Sequence, residues 1–458
     1  MTDIVVAGAG HGGLVAAALL AKEGFNVRVF EAKNRDNLGW DWHDDFKLHV
    51  FENIGMPVPN QGEIHLSPDV TFFSPDLASS IEAHVPAELR SIGMDRKVLA
   101  EKLIKFAIEA GVKIEFNTKV KGPLIKDQEV VGLVTETGPV EASLVIDAAG
   151  MDSPVRKNLP KNYGIRDNLL RGEVFHSYRA YFDNVEPTRQ EYPIFHVQFG
   201  IKGIRGITWV RILEDSAQVD VIVGKSDPFK KGELDEILGE LRKHYPCIGE
   251  TVVRGGQFAK IPVRRPLDRF LGPNYVAVGD SACMTVPLTG SGIETSMLAG
   301  KLLAETIIDL GSKPSYGVQD LWRYQGEYVK NIGAINYSVD IIKNFLGVVP
   351  FPEMNFIFQK RLITGDDIAS SVMGEELNIS ILEMLKRLFR GFPRMGLLLK
   401  VKNMAQIAKK VQDVAKKIPL TYEEAEINSW VQEMAKFYEN YEKEIRSVAQ
   451  EQGENRDV

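Results

Sequence analysis

The chain begins with an apolar run, Ile4 to Ala7. A stretch of small and apolar residues from Leu14 to Lys22 follows, then a second apolar run from Val27 to Phe30. Short apolar runs predict buried strands, and the small-residue stretch between them predicts a helix packed closely on both. The segment 94–116, MDRKVLAEKLIKFAIEAGVKIEF, carries apolar residues at helical spacing and ends as a strand. Two alternating runs between 118 and 137 predict a hairpin-like crossover. ASLVIDAAG, 142–150, predicts a buried strand that stops at small residues. From 170 to 225 the period changes to two, as in GITWVRILEDSAQVDVIVG, 206–224. That alternation predicts an antiparallel sheet with one covered face. Strand, glycine loop and small-residue helix return between 275 and 307. From about 316 the pattern is helical, with breaks at Pro350, Pro352, Pro393 and Pro419. One stretch fits neither period. NLGWDWHDDF, 37–46, is loop-like, either a gating or acid–base cluster or a polar loop with Trp40 and Trp42 pinned in a domain interface.

Taken together, the elements predict an α/β protein, α+β overall. Its length of 458 residues suits two or three domains. The composition, 44% hydrophobic and 26% charged, is that of an ordinary globular chain. A net charge of −7 gives no electrostatic footprint for nucleic acid, so no such partner is expected. Cys247 and Cys283 are the only cysteines, too few for a disulfide framework and consistent with a reducing compartment. No uninterrupted apolar run is long enough to span a bilayer. The first strand begins by residue 4, which leaves no room for a signal peptide. A cytoplasmic location is expected, with any membrane contact peripheral.

The N-terminal βαβ pattern carries Gly8, Gly10 and Gly13 at the G-x-G-x-x-G spacing. In a dinucleotide fold the first glycine allows the tight turn and the second lets the backbone approach a pyrophosphate. The third lets helix and strand pack closely. The helix N-terminus then faces the phosphates with its amides and dipole. Glu31, about twenty residues on, suits the hydroxyls of a ribose and disfavours a 2′-phosphate. These residues predict a dinucleotide site and leave open which dinucleotide it takes.

Three further pieces decide that: Asp95-Arg96 at the head of a helix, VIDAAGMDSPVR (145–156), and YVAVGDSACMTVPLTGSGI (275–293). With the first βαβ, and in this order, they resemble the FAD-binding domain of the para-hydroxybenzoate hydroxylase-like flavoproteins. Within these the chain is most similar to the geranylgeranyl reductase family, over roughly residues 1 to 340. The resemblance implies a Rossmann-like FAD-binding domain with a three-layer ββα arrangement, formed discontinuously by 1–70, 94–160 and 270–315. It also implies an antiparallel-sheet substrate domain, 71–93 and 161–269, followed by a helical C-terminal region, 316–458. Gly279 and Asp280 would meet the flavin's ribityl chain, and Arg96 its linker. Pro287, Gly290 and Gly292 would bring a helix N-terminus to the N1–O2 edge, which becomes anionic on reduction. The chain departs from related patterns in three places. Ala149-Gly150 stands where the monooxygenase branch carries Asp-Gly. The W-x-W-x-I-P of halogenases is missing, and only Gly206 and Trp209 echo the reductases' aromatic element.

The implied activity is an FAD-dependent reduction of carbon–carbon double bonds in an isoprenoid or lipid-like substrate. Two alternatives stay open: an FAD monooxygenase acting on a hydrophobic or aromatic substrate, and an electron-transfer flavoprotein dehydrogenase-like component. NAD(P)H or a reduced ferredoxin-like protein would supply electrons, since two cysteines cannot hold an iron–sulfur cluster. No proton donor is named by pattern. The weak candidates for a catalytic role are Cys283 in the glycine loop, Trp209 in the sheet and His43 in the Trp- and Asp-rich stretch. No metal site is expected from His43, Asp44 and Asp45, since adjacent residues rarely converge on one ion without partners. His176 and His196 read as sheet histidines. Finally, the stretch 381–418 concentrates Lys386, Arg387, Arg390, Arg394, Lys400, Lys402, Lys409, Lys410, Lys416 and Lys417 against only Glu383 and Asp413. Interleaved with Leu385, Leu388, Phe389, Met395, Leu397, Leu398 and Leu399, this block could rest on anionic lipid. It could equally be a solvated face packed on the acidic remainder.

Overall fold

Apolar runs with no polar face end up buried on both sides. In the computed structural model, which describes residues 3–170, 172–186, 193–213, 217–373, 386–387 and 390–450, they form the central sheet. Its order is Leu271–Gly272, Tyr275–Ala277, Leu144–Asp147, Asp3–Ala7, Asn26–Phe30, Lys113–Glu115. The pairings are parallel except at the Leu271–Gly272 edge. Three helices, His11–Lys22, Arg96–Glu109 and Ile293–Leu310, cover one face. A three-stranded meander, Val120–Lys126, Glu129–Thr135 and Gly138–Glu141, covers the other through Val130 and Leu133, both fully buried. Two helices in the first layer cross at glycines. A Cβ on Gly300 would collide with the backbone oxygen of Gly12, and one on Gly12 with that of Ser296. The His11–Lys22 and Ile293–Leu310 helices therefore approach backbone to backbone.

The period-two region builds a second sheet of seven strands. Its order is Ile248–Pro262, Val174–Asn184, Gln218–Lys225, Ile204–Ile212, Ile194–Ile201, Val70–Phe73, Ser80–Ala83. All junctions are antiparallel except one. Ile194–Ile201 runs parallel to Val70–Phe73, with His196 opposite Thr71. That strand is supplied by an excursion out of the first sheet's half of the chain, so its direction is set by the return path and not by a hairpin.

The stretch read as loop-like is in part a strand. His43–Phe46 pairs antiparallel with Ile92–Asp95, which also carries Ile64–Leu66. Its adjacent Asp44 and Asp45 are answered by arginines of the neighbouring helix and sheet, a pairing that local polarity does not reveal.

The remaining helices, Val318–Tyr328, Ala334–Val348, Phe351–Gln359, Gly365–Met373, Met395–Ala415 and Glu424–Gln450, pack as a C-terminal group. Pro350 and Pro352 start one helix, and Pro393 sits in the 3-10 turn before another. Pro419 follows an end. Aromatic donors fasten the group to itself: Trp322 Nε1 to Pro419 O (2.7 Å), Trp430 Nε1 to Val414 O (2.9 Å) and Tyr438 OH to Tyr337 O (3.0 Å). Glu383, Leu385, Leu388 and Phe389 of the basic block, and the terminal residues 451–458, lie outside the described residues. Among the described residues no single helix is long and apolar enough to cross a membrane.

Candidate functional site

The carboxyl ends of the parallel strands open into a cavity of about 3110 Å³ that runs on beneath the second sheet to the C-terminal helices. Its inner end is made of glycine turns. Gly8 has φ +86°, where a Cβ would stand 2.7 Å from Ala148 O. Gly13 lies so close to Ala148 that a Cβ would meet its methyl at 2.5 Å. Gly10 caps the His11–Lys22 helix with no side-chain acceptor for the first amides. The same is true of Gly292 at the start of Ile293–Leu310. Helix N-termini present unpaired N–H groups and a positive dipole end, so both ends are ready to receive an anionic or strongly polar group. The glycine crossing of the two helices brings both ends to one cavity.

Charged side chains complete this cradle. Glu31 Oε2 accepts from Ala9 N (2.8 Å) and Oε1 from Lys33 N (2.9 Å), which fixes the carboxylate at the cavity wall with acceptor capacity to spare. Asp280, beside Gly279 (φ +68°), lines the cavity, and its carboxylate, unlike its backbone carbonyl, has no hydrogen-bond partner among the described residues. Burial pushes its carboxyl up, against the opposing pull of Arg96 and Arg156. Arg96 Nη1 donates to Asp44 Oδ2 (2.6 Å), while its buried Nε finds no partner in the protein. His11, the first residue of its helix, is held neutral far below its usual range by burial and then by Arg96. Two open helix ends, a fixed ribose-type acceptor, a free carboxylate and an orphaned guanidinium N–H fit the polar groups of FAD. Gly290 (φ +72°) and Pro287 line the loop between Asp280 and the second helix end.

Above the cradle lies a charge network that the pattern of the chain did not single out. Arg179 donates to Asp220 Oδ2 (2.6 Å) and Asp44 Oδ1 (2.9 Å), with its guanidinium 5.7 Å above Trp42 and 5.3 Å above Trp209. Arg211 Nη1 donates to Asp45 Oδ2 (2.6 Å), and its Nη2 lies 3.0 Å from His65 Nε2. Burial first, then Arg211, pull His65 down to about 4. The available signal was the placing of Arg179, Arg211 and Asp220 within otherwise apolar period-two runs, where a buried charge implies a buried partner.

Residues 88–306 match the FAD dependent oxidoreductase family, and residues 6–48 an NAD(P)-binding Rossmann-like domain. The chain is 23% identical to the digeranylgeranylglycerophospholipid reductase of Sulfolobus acidocaldarius, over 97% of this chain and 98% of the relative. It is 27% identical to digeranylgeranylglycerophospholipid reductase 1 of Methanopyrus kandleri, over 71% and 85%. A geranylgeranyl bacteriochlorophyll reductase-like protein from Thermoplasma acidophilum superposes with a TM-score of 0.70 at 17% identity, over 88% of this chain and 99% of that one. The chain is thus similar over nearly its whole length to curated digeranylgeranylglycerophospholipid reductases, and its central residues match the FAD dependent oxidoreductase model.

The outer half of the cavity carries most of its large apolar side chains. Phe72, Phe195, Phe199 and Trp209 line it from the sheet side, and Ile342, Leu346, Phe351, Met354, Phe358, Leu398 and Met404 from the helices. Trp209 faces it with an indole N–H that has no partner. Cys283 and His43 do not line it. The Cys283 thiol is fully buried in a left-handed turn (φ +57°) and pushed up by burial. His43 packs edge-on against His65 and Tyr181, with Nε2 3.8 Å from Asp95 Oδ2. Among the described residues no three His, Cys, Asp or Glu side chains converge as a metal site.

Proposed function

We propose that this protein hydrogenates carbon–carbon double bonds of an isoprenoid chain, carried on a lipid or a similarly long apolar molecule. The observation that carries this reading is the continuity of the cavity. Ordinary ligand pockets measure roughly 300–1,000 Å³. This one is about 3110 Å³ and passes without a wall from the polar cradle into an apolar channel. That is room for a dinucleotide and a long unsaturated chain end to end.

Bound FAD supplies a hydride to one alkene carbon. The chain's own groups do the rest. Gly8, Gly10 and Gly13 open the first helix end to the pyrophosphate, and Glu31 takes the adenosine ribose. Gly279 and Asp280 meet the ribityl chain, and Arg96 the linker. Pro287, Gly290 and Gly292 aim the second helix end at the ring edge where negative charge develops. Trp209 and the phenylalanines exclude water and orient the alkene. In this division residues 1–70, 94–160 and 270–315 hold the cofactor. Residues 71–93 and 161–269 supply the sheet wall, and 316–458 the helical wall. NAD(P)H, binding transiently, or a reduced ferredoxin-like protein delivers electrons.

The mouth of the channel supports membrane contact. Met395 and Leu399 line it and yet stand 40% and 60% exposed, beside Phe392 at 70%. Lys402, one turn on from Leu399, and Lys410, further along the same helix, also line the cavity and are exposed. Apolar tips within a basic rim suit an anionic lipid surface from which the substrate enters. To test the activity, the FAD-loaded protein is reduced without oxygen and mixed with a polyunsaturated isoprenoid lipid. Return of the oxidised flavin spectrum with that lipid, and not with its saturated counterpart, supports the reading. Reoxidation by air alone, with oxygen inserted into the substrate, refutes it.

A further inference from the structure

One cross-strand row of the second sheet runs along the cavity wall. Arg179, Ile222, Trp209, Val197, Phe72 and Ile81 stand opposite one another from strand to strand, and all six line the cavity. Residues opposed in this way share one face of a sheet. The rows on either side of it differ in character. Tyr181, Asp220 and Arg211 are in register on one side, and Gly224, Ile207 and Phe199 on the other. The row of Arg179 and Trp209 is therefore the boundary between a polar and an apolar stretch of wall. An alkene held by the apolar half of the cavity meets a cofactor held by the polar half at such a boundary.

Arg179 is the one charge among the six, and it is 3% exposed. Its fork is held from two sides. Nε and Nη2 donate to the two oxygens of Asp220 (2.9 and 2.6 Å), and Nη1 donates to Asp44 Oδ1 (2.9 Å). The guanidinium so fixed lies 5.7 Å from the Trp42 ring and 5.3 Å from the Trp209 ring, within reach of cation–π attraction. Trp42 is itself backed by Trp40, stacked at 4.8 Å with 4° between the planes. The other oxygen of Asp44 accepts from Arg96 Nη1 (2.6 Å) and from Trp42 Nε1 (3.3 Å). Arg96, Asp44, Arg179 and Trp209 thus form an unbroken series of contacts from the cofactor cradle to the apolar wall.

We propose that Arg179 is a positioning residue that couples cofactor binding to the shape of the substrate wall. The inference rests on the reductase reading, in which Arg96 meets the flavin's linker and Trp209 orients the alkene. A cofactor that fixes Arg96 fixes Asp44, Asp44 fixes the Arg179 fork, and the fork fixes the Trp209 indole. The wall is then ordered once, by whichever ligand binds first, and the second ligand binds tighter. By linkage the effect is equal in both directions.

Two variants break the series without stranding a charge. Asp44→Asn keeps the shape of the side chain and leaves Arg179 paired with Asp220. Arg179→Lys keeps the charge, but a single ammonium cannot reproduce the fork. FAD is titrated into the full-chain apoprotein with and without a fully saturated isoprenoid lipid, which has no bond to reduce. The proposal predicts that the lipid lowers the Kd for FAD about fivefold or more in the unaltered protein, and leaves it unchanged in D44N and R179K. A second readout needs no lipid. In protein carrying fluorotryptophan, the fluorine resonance of Trp209 is identified by its loss in Trp209→Phe. At saturating FAD it should sharpen in the unaltered protein and stay as broad as in the apoprotein in D44N and R179K. An equal lipid effect in all three proteins overturns the proposal. So does lipid that binds without changing FAD affinity, or a Trp209 resonance that answers FAD alike in all three. If the unaltered protein binds no isoprenoid lipid, the reductase reading fails. The Trp209 resonance then still decides whether cofactor and wall are coupled.

Discussion

Gly12 and Gly300 set how closely two helix ends stand at the cofactor end of the cavity, because neither position has room for a Cβ. Gly300→Ala is expected to force the helices apart at a cost of about 1–3 kcal/mol, the usual range for overpacking. Thermal melts and the flavin content of the purified variant check this, and a protein of unchanged stability and full flavin would contradict it. Glu31 makes a different kind of contribution. Its carboxylate holds the Ala9 amide, and a charged hydrogen bond of this kind contributes about 1.5–3 kcal/mol. Glu31→Ala is therefore expected to weaken FAD binding by roughly 10- to 100-fold, read by titration of the apoprotein. Gly8, Gly10, Gly13 and Glu31 could be picked out from the chain because they stand at a recurring spacing within one βαβ unit, although all three glycines are pressed by Ala148 of a distant strand end. Gly12 and Gly300 could not. Each is constrained by a partner far away in sequence, and nothing in the spacing of either announces the other.

At the scale of elements, the strand His43–Phe46 joins the cofactor half to the second sheet through Asp44 with Arg96 and Arg179, and through Asp45 with Arg211. This junction carries a pH dependence. His65, against Arg211, ionises near 4 in the folded protein and near 6.5 in an unfolded chain. Between those values the unfolded chain binds the extra proton, so stability falls as pH drops from about 6.5 to about 4 and is unaffected above 6.5. His11 and His43 are shifted in the same direction. Denaturant midpoints measured across this range should fall, and should fall less in His65→Asn; identical profiles for the two proteins would contradict the assignment. Period-two alternation announced the strands of the second sheet because one face of each packs on a core. It was silent about His43–Phe46, whose polar residues face arginines supplied by other elements. It was silent too about the parallel junction of Ile194–Ile201 with Val70–Phe73, since alternation carries no direction.

The whole molecule is organised around one cavity with a polar end and an apolar end, and the two ends come from opposite parts of the chain. The basic block was visible as charge along the sequence, but its relation to the cavity depends on how the Met395–Ala415 helix packs. Lys402, one turn on from exposed Leu399, and Lys410, further along the same helix, line the cavity and are exposed. Each basic residue near an anionic surface is worth about 1 kcal/mol. The K402E/K410E variant should release from anionic vesicles at a lower salt concentration than the unaltered protein, with neutral vesicles binding neither. Equal retention by both would remove the membrane contact from the account. The central claim is that the apolar half of the cavity presents an isoprenoid double bond to the reduced cofactor. Mass spectrometry of isoprenoid lipids after anaerobic incubation with the reduced, FAD-loaded protein tests it most directly. Gain of hydrogen pairs, one for each double bond lost, is the predicted result. Lipids recovered unchanged without air, or gaining oxygen atoms once air is admitted, would contradict it.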